Sequence, residues 1–405
     1  MKSSIRAIAL LSAGLAFGSV RADVVVPVLP GSSGLSLKAQ LGQKLFFDTN
    51  LSEPAGQACA SCHNPNFAFT DADKTKPTSK GVDPTLHGNR NAPTAMYAAF
   101  SPAFYFDRKT GLYMGGQFVD GRAATLTAQA KGPFVNPVEM ANPDPATVVN
   151  KVRNANYIDY VTLFNAIYGP SALSDTSLAY DRIADAIAAY ENSPVFNRFT
   201  SKYDFYLFGK ASFTAAEVRG RGVFESASKG NCAACHPSRP PAAGKPPMFT
   251  DFSYDNIGVA KNPDNPFYTI PAQFNPDGAY FVDLGLGGSL GVAGEDGKFK
   301  VPTLRNIALT APYTHNGYFK SLRTVVEFYA KRDTKKRCSN PLTNDTNALT
   351  QNCWPAPETL ANVNHAELGS LKLTTQDIDD LVAFLNTLTD GYKTTSPWTY
   401  TTPSP

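Results

Sequence analysis

The stretch Gly230-Asn-Cys-Ala-Ala-Cys-His-Pro-Ser238 repeats a pattern met earlier in the chain as Cys59-Ala-Ser-Cys-His63. In Cys-x-x-Cys-His the two thiols can add across the vinyl groups of a haem, and the adjoining imidazole then lies under the iron as proximal ligand. A zinc site would need closing ligands nearby, and a dithiol redox pair would need a βαβ setting that both copies lack. The repeat therefore predicts two covalently bound c-type haems, one on Cys59, Cys62 and His63 and one on Cys232, Cys235 and His236.

Two haems ask for two supporting units, and 405 residues are too many for one ordinary core and enough for two. With 42% hydrophobic and 18% charged residues, the chain has ample material for packed cores. A net charge of +3, without a basic run, gives no reason to invoke nucleic acid. Lys2 and Arg6 precede an apolar run from Ala7 to Val20, and Val20-Arg-Ala22 supplies small residues two apart. That pattern reads as a cleaved export signal over residues 1–22, which implies a periplasmic protein. No later segment approaches the roughly 20 apolar residues of a membrane span.

The expected fold is mainly α, with two cytochrome c-like haem domains and long loops. Leu37, Leu41 and Leu45 share a helical face that ends near Asp48, and Cys59 to His63 follows in a short loop. From Asn64 to about Gly121 the chain is rich in Pro, Gly and aromatic residues and reads as irregular, without sheet. Helical periodicity returns at Leu126 and Ala130, at Val148 and Val152, and at Ile183, Ile187 and Tyr190. Asn192-Ser-Pro194 breaks it, placing the boundary between domains 23–195 and 196–392. The second domain opens on a capping-box pattern at Thr214 and Glu217 and closes on a helix from Thr374, with a Thr/Pro/Ser-rich tail over 393–405.

A haem iron with two protein ligands shuttles electrons, whereas one with an open face can take peroxide if a nearby polar group moves a proton between its oxygens. Between the two pentapeptides lies Gly116-Gln-Phe-Val-Asp-Gly-Arg-Ala123, continuing through Gln129 and Gly132-Pro-Phe-Val-Asn-Pro-Val-Glu-Met140. With Leu41-Gly-Gln-Lys-Leu-Phe-Phe-Asp48, Arg90-Asn-Ala-Pro-Thr94, Val301-Pro-Thr-Leu-Arg-Asn306 and Pro312-Tyr-Thr-His-Asn-Gly317, this resembles the bacterial di-haem cytochrome c peroxidase family, which includes the MauG proteins.

The resemblance implies that hydrogen peroxide reacts at the first haem, with Glu139 as distal acid–base carboxylate, Gln129 as distal hydrogen-bond donor and Pro133 in the pocket wall. The second haem would pass electrons. Its further axial ligand would be Tyr329, where peroxidases of the conventional kind have Met; Met248 is the substitute candidate. A phenolate favours high iron oxidation states and a thioether does the reverse. Asn91, Thr310 and Pro312 match oxygen donors of an interdomain Ca²⁺, a hard cation suited to such ligands. The electron source would be a small cytochrome c or a cupredoxin, unless, as in MauG-like enzymes, a partner protein is itself oxidised.

Val119 stands where relatives carry a Trp between the haems, leaving direct tunnelling or Phe118 to serve. His87 is expected as a loop histidine, with a lesser claim to cap the first haem. His315 is assigned a structural or propionate hydrogen bond and His365 a loop. Cys338 and Cys353 bracket a polar insertion and are expected to form a disulfide.

Overall fold

The computed structural model describes residues 34–242 and 245–393. The expected signal segment and the end of the tail lie outside these residues. Twelve helices carry the fold: α1 (Leu37–Phe47), α2 (Cys59–Cys62), α3 (Leu126–Val135), α4 (Pro145–Arg153), α5 (Tyr160–Tyr168), α6 (Thr176–Glu191), α7 (Lys202–Leu207), α8 (Ala215–Glu225), α9 (Gly285–Leu290), α10 (Leu322–Lys331), α11 (Asp345–Thr350) and α12 (Thr375–Asn386). Among the described residues sheet is confined to two antiparallel pairs, β1 (Tyr105–Asp107) with β2 (Leu112–Met114) and β3 (Tyr254–Asp255) with β4 (Phe299–Lys300). The fold is thus helix-rich with little sheet.

The long helices start where side-chain oxygens can take up free N–H groups. Ser36 caps α1, Asp175 caps α6, and reciprocal capping boxes open α8 (Thr214, Glu217) and α12 (Thr374, Asp377). The break at Asn192 ends α6 where the sequence places it. Two expectations are corrected. The first pentapeptide is not plain loop, since Cys59–Cys62 forms a helical turn, and Cys232–Ala234 of the second forms a 3-10 turn. The segment 64–121 holds the β1–β2 hairpin, because Tyr105-Phe106 and Leu112-Tyr113 flank a tight turn at Asp107–Gly111 that closes the ladder.

Each half is built on a crossing of two long helices, α1 with α6 and α8 with α12, and in each the contact is made at a glycine. A Cβ on Gly42 of α1 would lie 1.8 Å from the Ala186 carbonyl oxygen of α6, and one on Gly220 of α8 would lie 1.9 Å from that of Asp380 in α12. Four residues on, Phe46 meets Tyr190 edge-on at 5.5 Å, and Phe224 meets Phe384 at 5.2 Å. The two crossings therefore share one register, with Ala186 and Tyr190 answering to Asp380 and Phe384. Separate apolar clusters surround them, one on Leu41, Phe46, Ile183 and Ile187, the other on Phe224, Ile378, Leu381 and Phe384.

Buried polar contacts join the halves around an ion pair of the second half that packs under a ring of the first. Arg305 makes two hydrogen bonds to Asp204, at 2.8 and 3.0 Å, beneath the rings of Tyr97 and Phe199. Tyr97 of the first half donates to Asp390 at 2.6 Å, a carboxylate also held by Asn306. The Cys338–Cys353 disulfide is formed, with Cα atoms 5.1 Å apart, as the spacing suggested.

Candidate functional site

The histidines of the two pentapeptides are held by the same set of hydrogen bonds. In each, the His backbone N–H closes on the first Cys carbonyl at 2.9 Å. His63 Nδ1 faces the Phe69 carbonyl at 3.1 Å and His236 Nδ1 faces that of Phe249 at 2.8 Å. Both phenylalanines are left-handed, with φ of 54°, which turns their carbonyls toward the rings. Thr94 and Thr303 then tie down the preceding residue in each case, donating to the carbonyls of Ala68 and Met248 at 2.6 Å. This is the shared work of the Pro93-Thr94 and Pro302-Thr303 pairs.

A carbonyl partner fixes the proton on Nδ1 and leaves Nε2 as the free, basic nitrogen, the second-shell arrangement of metal-bound histidines. Burial lowers the pKa of both rings, keeping them neutral as a metal ligand requires. Burial also pushes the thiols of Cys62, Cys232 and Cys235 up to about 12, and that of Cys59 up as well. A thiolate metal site would do the opposite, whereas neutral thioethers suit this burial. The four cysteines are unpaired although Cys338 and Cys353 are joined.

A cavity of about 350 Å³ adjoins the second pentapeptide. Cys232, Cys235, His236 and Tyr329 line it together with the apolar side chains of Val325, Leu371, Leu381 and Leu385. An apolar wall around one aimed imidazole and two thiols fits a porphyrin. Tyr329 projects from α10, is pushed up in pKa by burial, and makes no hydrogen bond through its hydroxyl to another described residue. Met248 packs instead against the apolar cluster of the first half. The cavity extends to Asn91, Thr310 and Pro312, and Asn91 Nδ2 donates to the Pro312 carbonyl at 2.6 Å. Val119 and Phe118 line it from the first half, with the Arg122 guanidinium 3.6 Å from the Phe118 ring centroid.

Around the first pentapeptide the chemistry differs. Glu139 follows α3 in a turn held by Met140 N–H on the Pro133 carbonyl at 3.2 Å, which sets Pro133 against the Glu139 segment. Burial raises the Glu139 carboxyl, opposed by Arg122 and a hydrogen bond from Asn136, and its charge is felt at both Cys59 and Cys62. Gln129, on α3, is half-buried, and its side chain makes no hydrogen bond to another described residue. His87 Nδ1 faces the Thr78 carbonyl at 3.3 Å in a loop. His365 pairs with Asp333 at 2.9 Å on the surface, also in a loop.

Some interactions at these sites could not be read from the motifs. Glu191, the last residue of α6, is buried, raised to about 8 by burial, and exerts the largest charge effect on Cys59. Its signal was an acid on the apolar face of Ile183, Ile187 and Tyr190. Arg90 grips Asp283 through two hydrogen bonds of 2.7 Å and Asp120 through one of 2.6 Å. Burial pushes Asp283 up, but Arg90 outweighs it and holds the carboxyl at about 2. His315 stacks on Phe299 at 3.6 Å, and its buried Nε2 has no hydrogen-bond partner among the described residues, the Glu358 carboxylate lying 4.0 Å away. Burial lowers His315 to about 4 and raises Glu358 to about 7.

Two haem-attachment motifs on one helix-rich chain define a di-haem c-type protein. The family model for di-haem cytochrome c peroxidases matches residues 36–212, and the chain belongs to that family of oxidoreductases. It is 43% identical to the methylamine utilization protein MauG of Paracoccus denitrificans over 87% of this chain and 88% of the relative. It is 32% identical to the cytochrome c551 peroxidase of Nitrosomonas europaea, over 78% of each chain. In structure it is similar to the diheme peroxidase BthA of Burkholderia thailandensis, with a TM-score of 0.72 and 32% identity over 87% of this chain and 86% of that one. Among the described residues no helix is long and apolar enough to cross a membrane.

Proposed function

We propose that the chain is a periplasmic di-haem peroxidase built from two cytochrome c-like domains, 23–195 and 196–392. It reduces hydrogen peroxide at the haem of Cys59, Cys62 and His63, using electrons relayed through the haem of Cys232, Cys235 and His236. The observation that carries this reading is the unequal filling of two matching sites. The first has a carboxyl raised by burial at Glu139, whereas the second has a phenol at Tyr329.

When bound, the haems supply the iron that polarises peroxide and the store for electrons. Glu139 takes the proton from the attacking oxygen of peroxide and delivers it to the departing one; a carboxyl raised by burial can do both near neutral pH. Gln129 orients the peroxide, and Pro133 limits water beside it. His63, neutral and fixed through Nδ1, offers Nε2 to the iron. Tyr329, which lines the same cavity as His236, would offer its oxygen to the second haem, whose cation would reverse the upward push of burial on its pKa. Asn91, Thr310 and Pro312 are the proposed donors to Ca²⁺ between the halves.

A second reading has a specific observation in its favour. Tyr329 in place of Met and the 43% identity to a MauG protein support oxidation of residues on a partner protein. Stopped-flow mixing of the diferric protein with peroxide, with and without reduced cytochrome c or cupredoxin, separates the two. Rapid oxidation of the donor is the expected result. An oxidised state that the donor cannot discharge supports the partner-oxidising reading, and no reaction with peroxide overturns both.

A further inference from the structure

Four aromatic rings form an unbroken series from solvent to the edge of the second cavity. Phe106, at the outside of the β1–β2 hairpin, is 48% exposed and meets Tyr113 at 4.9 Å across the strands. Tyr113 stacks on Phe104 at 5.6 Å with planes 8° apart, and Phe104 meets Tyr254 of β3 edge-on at 6.1 Å. Tyr254 is only 6% exposed and donates to the Gly115 carbonyl at 2.6 Å. The next residue, Asp255, lines the cavity, with a carboxylate oxygen within 4.8 Å of Cys235 Sγ.

The inner contact of this series depends on a glycine. A Cβ on Gly121, whose φ is +71°, would lie 2.4 Å from the Tyr254 hydroxyl and 2.7 Å from the Phe104 ring. Two rings, one from each half, close on the backbone there. The outer end has the composition of a contact surface. Tyr105, Phe106 and Leu112 are 46, 48 and 41% exposed on one short hairpin. Arg108 and Lys109 sit exposed at its turn with no ion pair among the described residues, while Asp107 is engaged by the turn itself through Lys109 N–H and the Thr110 hydroxyl. An apolar, aromatic centre with a cationic rim suits a partner with an apolar contact patch and an acidic border.

We propose that the β1–β2 hairpin is the docking surface for a small redox protein with an acidic face, and that the series Phe106, Tyr113, Phe104, Tyr254 is the path by which its electrons reach the second haem site. The proposal rests on the reading of the second site as the electron relay. Each encounter moves one electron from the partner's reduced centre inward. Two such transfers, with two protons from solvent, balance the reduction of one hydrogen peroxide to two waters. Packed rings shorten the through-space gaps along this route, which matters in a chain with Val119 between its haem sites.

The test uses the holoprotein with a reduced cupredoxin carrying an acidic face, and reduced cationic cytochrome c as contrast. The acidic donor should bind more tightly, and Arg108→Glu with Lys109→Glu should weaken its binding and raise its KM on the order of tenfold, more so at low salt. Phe104→Leu should slow the turnover of bound donor without changing its KM, and Tyr113→Leu, half-exposed and tolerant of change, gives the same readout should Phe104→Leu fold poorly. The spectral response to peroxide without donor should stay at the wild-type rate in all of these variants. Preference for the cationic donor, or unchanged binding and KM in the charge-reversed variant, would overturn the docking surface. An unchanged turnover in both ring variants would overturn the path. Absence of any peroxide response in the wild-type protein would instead sink the proposed function, while the binding titration still decides the surface.

Discussion

The two halves of this molecule hold their pentapeptides in the same way and surround them differently. Gly42 and Gly220 set the same helix crossing, Phe69 and Phe249 turn the same carbonyl to the same histidine nitrogen, and Thr94 and Thr303 lock the same turn. Yet in the aligned register of α6 and α12, Glu191 stands where Leu385 lines the second cavity. Glu139 adds a further buried acid to the first half, and Tyr329 gives the second a phenol. The lesson is that scaffold and reactivity are separable: the shared bonds are those that would hold a cofactor, and in the function proposed above the unshared side chains decide what it does.

The comparison breaks most completely at the proximal ligands. His63→Gly is expected to abolish the reaction with peroxide while the spectrum of the second haem persists; reaction at normal speed would mean that the halves have been assigned in reverse. The next largest effect belongs to Glu139→Gln, which should retain both haems and slow peroxide cleavage by roughly 10²–10⁴-fold, followed by stopped-flow absorbance. An unchanged rate would remove Glu139 from the proton path.

Structural differences between the halves give smaller effects. Replacing both Cys338 and Cys353 by Ser should cost about 3 kcal/mol in denaturant unfolding, the loop-closure entropy of a 15-residue separation. Gly42→Ala and Gly220→Ala should each cost about 1–3 kcal/mol, since a methyl must push apart two helix backbones, and similar losses would show that the two crossings are equivalent in energy as in geometry.

A further effect concerns pH. Burial raises Glu191 from 4.5 to about 8, so the folded protein holds a proton that the unfolded chain releases at lower pH. The stability it contributes is complete below about pH 4.5 and is lost as pH rises through about 8. Glu191→Gln should flatten that decline in chemical denaturation between pH 5 and 8, and an equal slope in both proteins would show that Glu191 ionises freely.

Much of this arrangement was legible in the chain itself. The repeated pentapeptide is a local chemical code, and the helices beginning at Ser36, Thr214 and Thr374 carry their caps and apolar faces in contiguous sequence. What escaped depends on distant partners. The β1–β2 hairpin is short and embedded in Pro- and Gly-rich chain, so its ladder has little local periodicity to betray it. The grip of Arg90 on Asp283 spans 193 positions, and the carbonyl partner of each histidine depends on a left-handed phenylalanine that no propensity would suggest. Glu191 follows Ile187 by four positions at the end of α6, and only the packing of that helix beside Cys59 makes it a buried acid.

The claim that the two halves share a scaffold and divide the chemistry is tested most directly by resonance Raman spectroscopy of the diferric holoprotein, in the wild type and in Tyr329→Phe. The expected wild-type spectrum contains one open, high-spin haem, assigned to His63, and one closed, low-spin haem with a tyrosinate signature, and Tyr329→Phe should lose the closed component alone. Two closed haems in the wild type, or a spectrum unaltered by Tyr329→Phe, would contradict it.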